Sequence, residues 1–185
     1  MAEEKLPEAA ELIRDFVNTY DLLKEADELA TSQEMGAWFA ARGLLTPDVE
    51  LDDAATDQVR DVREAVRKLL LGHNDEPVPQ EAVDTLNRAA ESSRLCVKFT
   101  PEGSVLACES TGADAALSRV ITAVHTAMSD DSWSRLKACR RHDCGWVFYD
   151  QSRNRSKTWC DMGVCGNRTK AENFRRRHSH PAAGA

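Results

Sequence analysis

The fold class predicted by the sequence is mainly α. It has a helical N-terminal domain with a small β-hairpin, followed by a C-terminal treble-clef-like or zinc-ribbon-like finger. Three observations predict it. Apolar residues recur at helical spacing through most of the first 130 positions; the period turns strand-like only around 95–108; and four cysteines stand as two pairs near the C-terminal end. The expected division is 1–134 for the helical part and 135–180 for the finger, with Ser129–Lys137 as the joint.

Each element follows from local chemistry. Leu12, Phe16, Thr19 and Leu23 recur at helical spacing after Pro7, which suits an early helical position. Thr31-Ser32-Gln33-Glu34 is a capping box and Gly43 a stop, so a short helix is expected over 32–42, buried through Trp38 and Phe39. Val59, Val62, Val66, Leu69 and Leu70 form the next apolar face, with Gly72 as its C-cap. Pro77 and Pro79 punctuate a loop, and a fourth helix carries Val83, Leu86 and Ala90. Leu95–Phe99 and Val105–Cys108 flank the turn Pro101-Glu102-Gly103, a hairpin in which Cys96 and Cys108 are expected to face each other. Ala116, Val120, Val124 and Ala127 mark a fifth helix, roughly 113–128, and the Pro181–Ala185 end is expected to fray.

This part shows no paired nucleophile and base, so no catalytic residue is assigned and an enzyme is not expected. Cys96 and Cys108 read as half-buried strand residues before they read as a redox pair. His73 reads as part of a solvated turn, and His125 as a core-edge residue. Asp52, Asp53, Asp57 and Asp61 read as a solvated helix start and face.

The finger carries the chemistry. Cys139, Cys144, Cys160 and Cys165 are spaced C-x4-C, fifteen residues, C-x4-C. Four thiolates suit one tetrahedral Zn²⁺, and a full set of four leaves no open position for catalysis, so the ion is structural. Two disulfides and an iron–sulfur or redox role are the alternatives. The acidic start lacks a signal-peptide core and no apolar stretch approaches the ~20 residues of a membrane span, so a cytoplasmic protein with reduced cysteines is expected. In the fifteen-residue spacer, Trp146-Val147-Phe148-Tyr149 is expected to pair with Ser156-Lys157-Thr158-Trp159 across a polar turn, and Thr169–His178 to form a helix. Trp146, Phe148 and Trp159 are expected to pack around the metal and against the helical body; Asp150 with Ser152 and Asn154 reads as turn chemistry.

Charge is split along the chain. Residues 139–178 hold ten Lys/Arg against four Asp/Glu, whereas residues 1–138 hold fourteen against twenty-seven. A zinc–tetrathiolate centre adds −2, so the loaded tail is basic without being a large field. Arg153, Arg155 and Lys157 fall on the expected spacer turn; Arg168, Lys170, Arg175, Arg176 and Arg177 fall on the last helix or its start. Arginine forks suit phosphates and guanine edges, which makes these eight residues the candidate nucleic-acid contacts. A solvated basic helix end accounts for Arg175–Arg177 as well, since cations favour that end of the helix dipole.

Residues Cys139–Arg177 resemble the CGNR zinc finger family, spelled here by Cys165-Gly166-Asn167-Arg168. Phe148-Tyr149-Asp150, Ser152, Asn154, Trp159-Cys160-Asp161-Met162, Lys170 and Phe174–Arg177 extend the resemblance. Lys157-Thr158 stands where that family has a basic pair before the Trp. The N-terminal part is similar to the ABATE domain, through Phe16–Thr19, Trp38, Gly43-Leu44, the Arg60–Arg67 helix and Leu86-Asn87. The resemblance implies a bacterial, stress-linked transcription regulator. On this reading the finger contacts DNA, and the helical domain senses a small-molecule effector or binds a protein partner. A protein-interaction adaptor and a zinc–thiolate redox sensor are the alternatives. Asn167 and Arg168 are alternatively braces for the metal loop. The sequence leaves the oligomeric state open.

Overall fold

The computed structural model describes residues 5–46, 49 and 51–178; the Pro181–Ala185 end lies outside them. Among the described residues the order is α1 (Glu8–Asn18), β1 (Tyr20–Asp21), β2 (Ala26–Asp27), α2 (Ser32–Ala41), α3 (Asp53–Leu71), α4 (Gln80–Ser92), β3 (Cys96–Thr100), β4 (Gly103–Ala107), α5 (Gly112–Ser129), β5 (Leu136–Ala138), β6 (Val147–Tyr149) and α6 (Asn167–His178). This is the mainly helical class expected, with small antiparallel hairpins and a cysteine finger. No helix among the described residues is long and apolar enough to cross a membrane.

Side chains fix the helix starts. Pro7 stands at the N-cap of α1. At α2, Glu34 N–H donates to Thr31 Oγ1 at 3.2 Å while Thr31 N–H donates to Glu34 Oε2 at 3.0 Å, the reciprocal box that satisfies two orphan donors. Asp52 caps α3 by accepting from Ala55 N–H at 2.7 Å.

The core gathers one face of each long helix. Ile13, Phe16 and Val17 of α1 meet Val59, Val62, Val66 and Leu70 of α3 and Leu117 and Val120 of α5, all fully buried. Trp38 and Phe39 close it, with ring centroids 5.9 and 6.2 Å from Phe16. Leu23 does not belong to α1 as expected; the helix ends at Asn18, and Leu23 is exposed in the β1–β2 turn. In α4 the buried positions are Ala82 and Ala89, while Val83, Leu86 and Ala90 are half-buried. This helix packs against both α3 and α5, where small side chains permit close approach.

Two strand expectations need correction. In the β3–β4 hairpin Cys96 pairs with Ala107, so Cys108 falls just outside the ladder, where its thiol donates to Ser93 O at 3.1 Å. The two cysteines therefore do not oppose each other. In the finger, β6 pairs with the upstream β5, not with residues 156–159. Burial gives the reason: Leu136, Ala138 and Val147 are all buried in the body's core, whereas Ser156, Lys157 and Thr158 are polar. The latter segment instead offers carbonyls, Thr158 O to Arg140 N–H at 3.1 Å and Lys157 O to Lys137 Nζ at 3.2 Å.

A stripe of arginines on α3 holds the irregular parts in place. Arg60 donates to Leu29 O at 3.0 Å. Arg63 forks onto Asp27 at 2.6 and 2.9 Å and also reaches Thr19 Oγ1 at 3.2 Å. Arg67 donates to Val17 O at 2.8 Å, Tyr20 O at 3.0 Å and Gly145 O at 2.7 Å, with Glu64 as its counter-charge at 2.9 Å. Both Arg63 and Arg67 are buried. Further bonds join body to finger. Asn18 pairs with Val147 in both directions, at 2.8 and 2.7 Å. Asn74 Nδ2 donates to Ala138 O at 2.7 Å. His73, expected in a solvated turn, lies 2.6 Å through Nδ1 from Leu136 O and stacks edge-on against Trp133. His125, expected at a core edge, is exposed. We propose the 134/135 division as a change of role within a continuous core, since β5 and β6 are buried in it.

Two outcomes follow. Replacing Arg67 by Met strands the buried carbonyls it serves, Glu64 keeping Arg63 as its partner, and is expected to cost about 3 kcal/mol in urea unfolding of the zinc-loaded chain. At Asp27 burial pushes the carboxyl up, but the Arg63 guanidinium and the Leu29 amide together hold it below its ordinary value. A depressed pKa gives stability that is present above the unfolded carboxylate range and lost as pH falls through the folded value. The Asp27→Asn variant should therefore be less stable than the parent at pH 6, and the gap should close below about pH 4.

Candidate metal centre and basic helix

Two chain reversals bring the four cysteines together. In the first, Cys139 N–H donates to Trp146 O and Cys144 N–H to Arg141 O, both at 2.9 Å, so residues 139–146 close on themselves. Gly145 makes this possible: its φ is +57°, and a Cβ there would lie 2.7 Å from Leu22 Cδ1. In the second, Asp161 starts a π-helical turn, Met162–Gly166, accepting from Val164 N–H at 2.8 Å through its side chain and from Cys165 N–H at 2.9 Å through its carbonyl. The turn runs directly into α6, whose Thr169 hydroxyl donates back to Cys165 O at 2.9 Å.

The four sulfur atoms lie within 4.8 Å of one another, and Cys139, Cys144 and Cys165 are buried. Cys144–Cys160, Cys160–Cys165 and Cys165–Cys144 are each separated by 3.7 Å. A tetrahedral ion with Zn–S bonds of about 2.3 Å requires sulfur–sulfur edges of about 3.8 Å, whereas a disulfide requires about 2.05 Å. The residues present fit one structural zinc, with every ligand supplied by this chain. Trp159 packs against the cluster. Cys165 lies at the N-terminal side of α6, where the helix dipole favours the negative charge of a thiolate centre.

Without metal, Cys139, Cys144 and Cys160 cannot all ionise. Hydrogen bonds from Cys144, then Cys160, bring the Cys139 thiol down to about 2. The same bond to Cys139 pushes Cys144 up to about 12, and bonds to Cys139 and Cys144 push Cys160 up strongly. Zinc binding must therefore displace protons.

A buried ion pair that spacing alone did not reveal supports the first reversal. Asp150, expected as turn chemistry, is fully buried 3.3 Å from Lys137 Nζ. It also accepts from Ser152 N–H at 2.9 Å and Lys157 N–H at 2.8 Å. Burial pushes its carboxyl up, but Ser152, Lys157 and Lys137 together hold it below the ordinary range. Lys137 lies in the middle of β5 and Asp150 directly follows β6, so the antiparallel pairing of the two strands brings them together. Phe148 is buried with Lys157 Nζ 5.6 Å above its ring, while Trp146 is partly exposed.

The candidate basic residues separate by environment. Arg155 forks onto Asp131 and reaches Ser134 Oγ at 2.7 Å, which ties the spacer turn to the body. Arg153 and Lys157 are exposed. Arg168, Lys170, Arg175, Arg176 and Arg177 all lie exposed on α6, a helix with no buried residue. Arg175 and Arg177 lean back on the helix, onto Ala171 O at 3.4 Å and Asn173 O at 3.3 Å. Asn167 and Arg168, considered as braces of the metal loop, are exposed; Asp161 and Thr169 brace it. Phe174 is 60 % exposed and stacks on His178 with centroids 4.0 Å apart.

Comparison with protein families agrees with this layout. Residues 135–178 match the model of the CGNR zinc finger. Residues 10–131 match ABATE, described as "Putative stress-induced transcription regulator". Comparison with curated proteins finds no match.

Elemental analysis of the purified chain is expected to give about one zinc per molecule, and Cys160→Ser well below one. Because protons compete for the thiolates, zinc affinity should fall as pH drops from 8 to 6. The calorimetric heat of zinc binding should also vary with the ionisation heat of the buffer.

Proposed function

The chain belongs to the ABATE family and ends in a CGNR zinc finger, and from that premise we propose that it is a DNA-binding transcription regulator. The finger contacts DNA, chiefly through α6, and the helical body senses a ligand or binds a partner. Neither matched family is an enzyme family. The observation that carries the reading is α6 itself. Its N-terminal end is anchored to the metal centre through Cys165, no residue along it is buried, and five cations project from it. A helix that buries nothing gains little from intramolecular packing, and a cationic one presented on a rigid support is suited to the phosphates and edges of a groove. The acidic body, by contrast, would be repelled by DNA and held away from it.

A second reading keeps the finger as a protein-docking adaptor. It is favoured by Phe174, Met162 and Val164, apolar side chains exposed on the same finger.

Fluorescence anisotropy of the zinc-loaded chain on recovered genomic fragments separates the two. For a DNA reader, affinity falls steeply with salt, by about 0.9 in logarithmic slope per phosphate contact. Arg168→Ala should cost about 1–3 kcal/mol and relax preference at one base position. Arg175→Ala with Arg176→Ala should weaken all sequences alike and flatten the salt slope, and zinc content should be unchanged in each variant. Equal binding to the recovered fragments and to random DNA at 150 mM salt would leave the adaptor reading in its place.

A further inference from the structure

We propose that Cys160 is an oxidation site for hydroperoxides, and that a disulfide formed there expels the metal from the finger. Of the four ligands, Cys139, Cys144 and Cys165 are buried and Cys160 is half-buried. It follows Trp159, also half-buried, and precedes the exposed run Asp161–Val164. The sulfur cluster therefore meets solvent along this stretch of chain. A zinc ligand is held as the thiolate, and the thiolate is the form of cysteine that attacks a peroxide. Oxidation follows thiolate character and exposure together, which singles out Cys160 among the four.

The sulfurs that can resolve the oxidised residue are already in place. Cys160 Sγ lies 3.7 Å from Cys144 Sγ and 3.7 Å from Cys165 Sγ. In the first step the Cys160 sulfur attacks the hydroxyl oxygen of the hydroperoxide and the O–O bond breaks. Cys160 becomes the sulfenic acid, and the leaving alkoxide or hydroxide takes a proton from water. In the second step Cys144 or Cys165 attacks that sulfur, an S–S bond replaces the S–O bond, and hydroxide leaves. The two cysteines together lose two electrons and the peroxide gains them. Two thiolates are left, too few for a tetrahedral site, so the ion dissociates.

A disulfide requires about 2.05 Å, so the sulfurs must draw together, and the second turn is the part free to move. The hydrogen bonds that shape it run within residues 161–169: Asp161 with Val164 N–H and Cys165 N–H, and Thr169 with Cys165 O. The first reversal is held from the body, by Arg67 on Gly145 O at 2.7 Å. After oxidation α6 keeps Glu172 beside Arg141 Nη2, at 3.8 Å, but loses its anchor at Cys165, while the core of the body is untouched. That release has regulatory meaning only if α6 reads DNA as proposed above; the oxidation does not depend on it.

Hydrogen peroxide acting on the full-length zinc-loaded chain, without DNA, tests the site. With dimedone present to trap sulfenic acid, peptide mapping is expected to find the first adduct on Cys160. Without the trap, a disulfide should join Cys160 to Cys144 or Cys165, about one zinc per chain should pass to a colorimetric chelator, and dithiothreitol with added zinc should reverse both. Cys160→His keeps a fourth zinc ligand but removes the attacking sulfur, and its zinc release should be at least tenfold slower. Should that variant fail to hold zinc, the mapping on the parent chain decides. No adduct on Cys160, an earlier adduct on any other cysteine (Cys96 and Cys108 included), zinc retained by the oxidised chain, or equally fast release from zinc-loaded Cys160→His would overturn the proposal.

Discussion

A buried guanidinium is costly where its donors go unanswered, and Arg67 is answered by parts of the chain that otherwise have little to hold them. Val17 O closes α1, Tyr20 O opens β1, and Gly145 O belongs to the metal-binding reversal. One side chain near the end of α3 thus fixes the helix end, the turn after it and the finger at once. Geometry makes the arrangement exacting: Gly145 approaches so closely that a Cβ would meet Arg67 Cδ at 3.2 Å. The body and the metal reversal are fitted to each other through this point, and the sulfur cluster inherits its position from it.

The metal and the core then divide the work. Apolar burial secures β5 and β6, whose inward residues belong to the same cluster as α1, α3 and α5. Beyond Tyr149 the chain buries little apolar surface apart from Trp159 at the sulfur cluster, and α6 buries no residue. That stretch depends on the sulfur ligands, on Asp150 with Lys137, and on Arg155 clamped to Asp131. Such a small segment cannot build a core, so an ion takes over its stabilisation. Regulation fits this layout, since the body is held by hydrophobic burial and the outer finger by a few polar and metal bonds.

How much of this was legible in sequence varies with the physics involved. Helices with strong caps were readable: Thr31 with Glu34 specified α2, and the valines of α3 specified its buried face. The cysteine spacing specified the metal centre, because four sulfurs at those intervals have few other uses. The pairing of β6 was not readable, since Trp146–Tyr149 suits either neighbour and only the buried Leu136 and Ala138 decide between them. Nothing local to Arg63 and Arg67 reveals that Asp27 and Gly145 O come to meet them. His73 was misjudged for the same reason, its partner Leu136 O lying 63 residues away. Long-range polar pairing, not propensity, is where the sequence fell silent.

Anchored at its cysteine end, and touched part-way along where Glu172 lies 3.8 Å from Arg141 Nη2, α6 is a lever over its far half. Its twelve residues extend about 18 Å from the metal loop at 1.5 Å per residue. A tilt of about 10° at the cysteine end displaces Arg168 by a fraction of an ångström but carries Arg177 through roughly 3 Å, close to the spacing of successive base pairs. Angular error therefore grows along the helix. Tasks that demand registration belong near the fulcrum, and the run Arg175–Arg177 at the far end is suited to a diffuse target that forgives displacement. The stiffness of the loop from Asp161 to Gly166 sets the resolution of the whole arm.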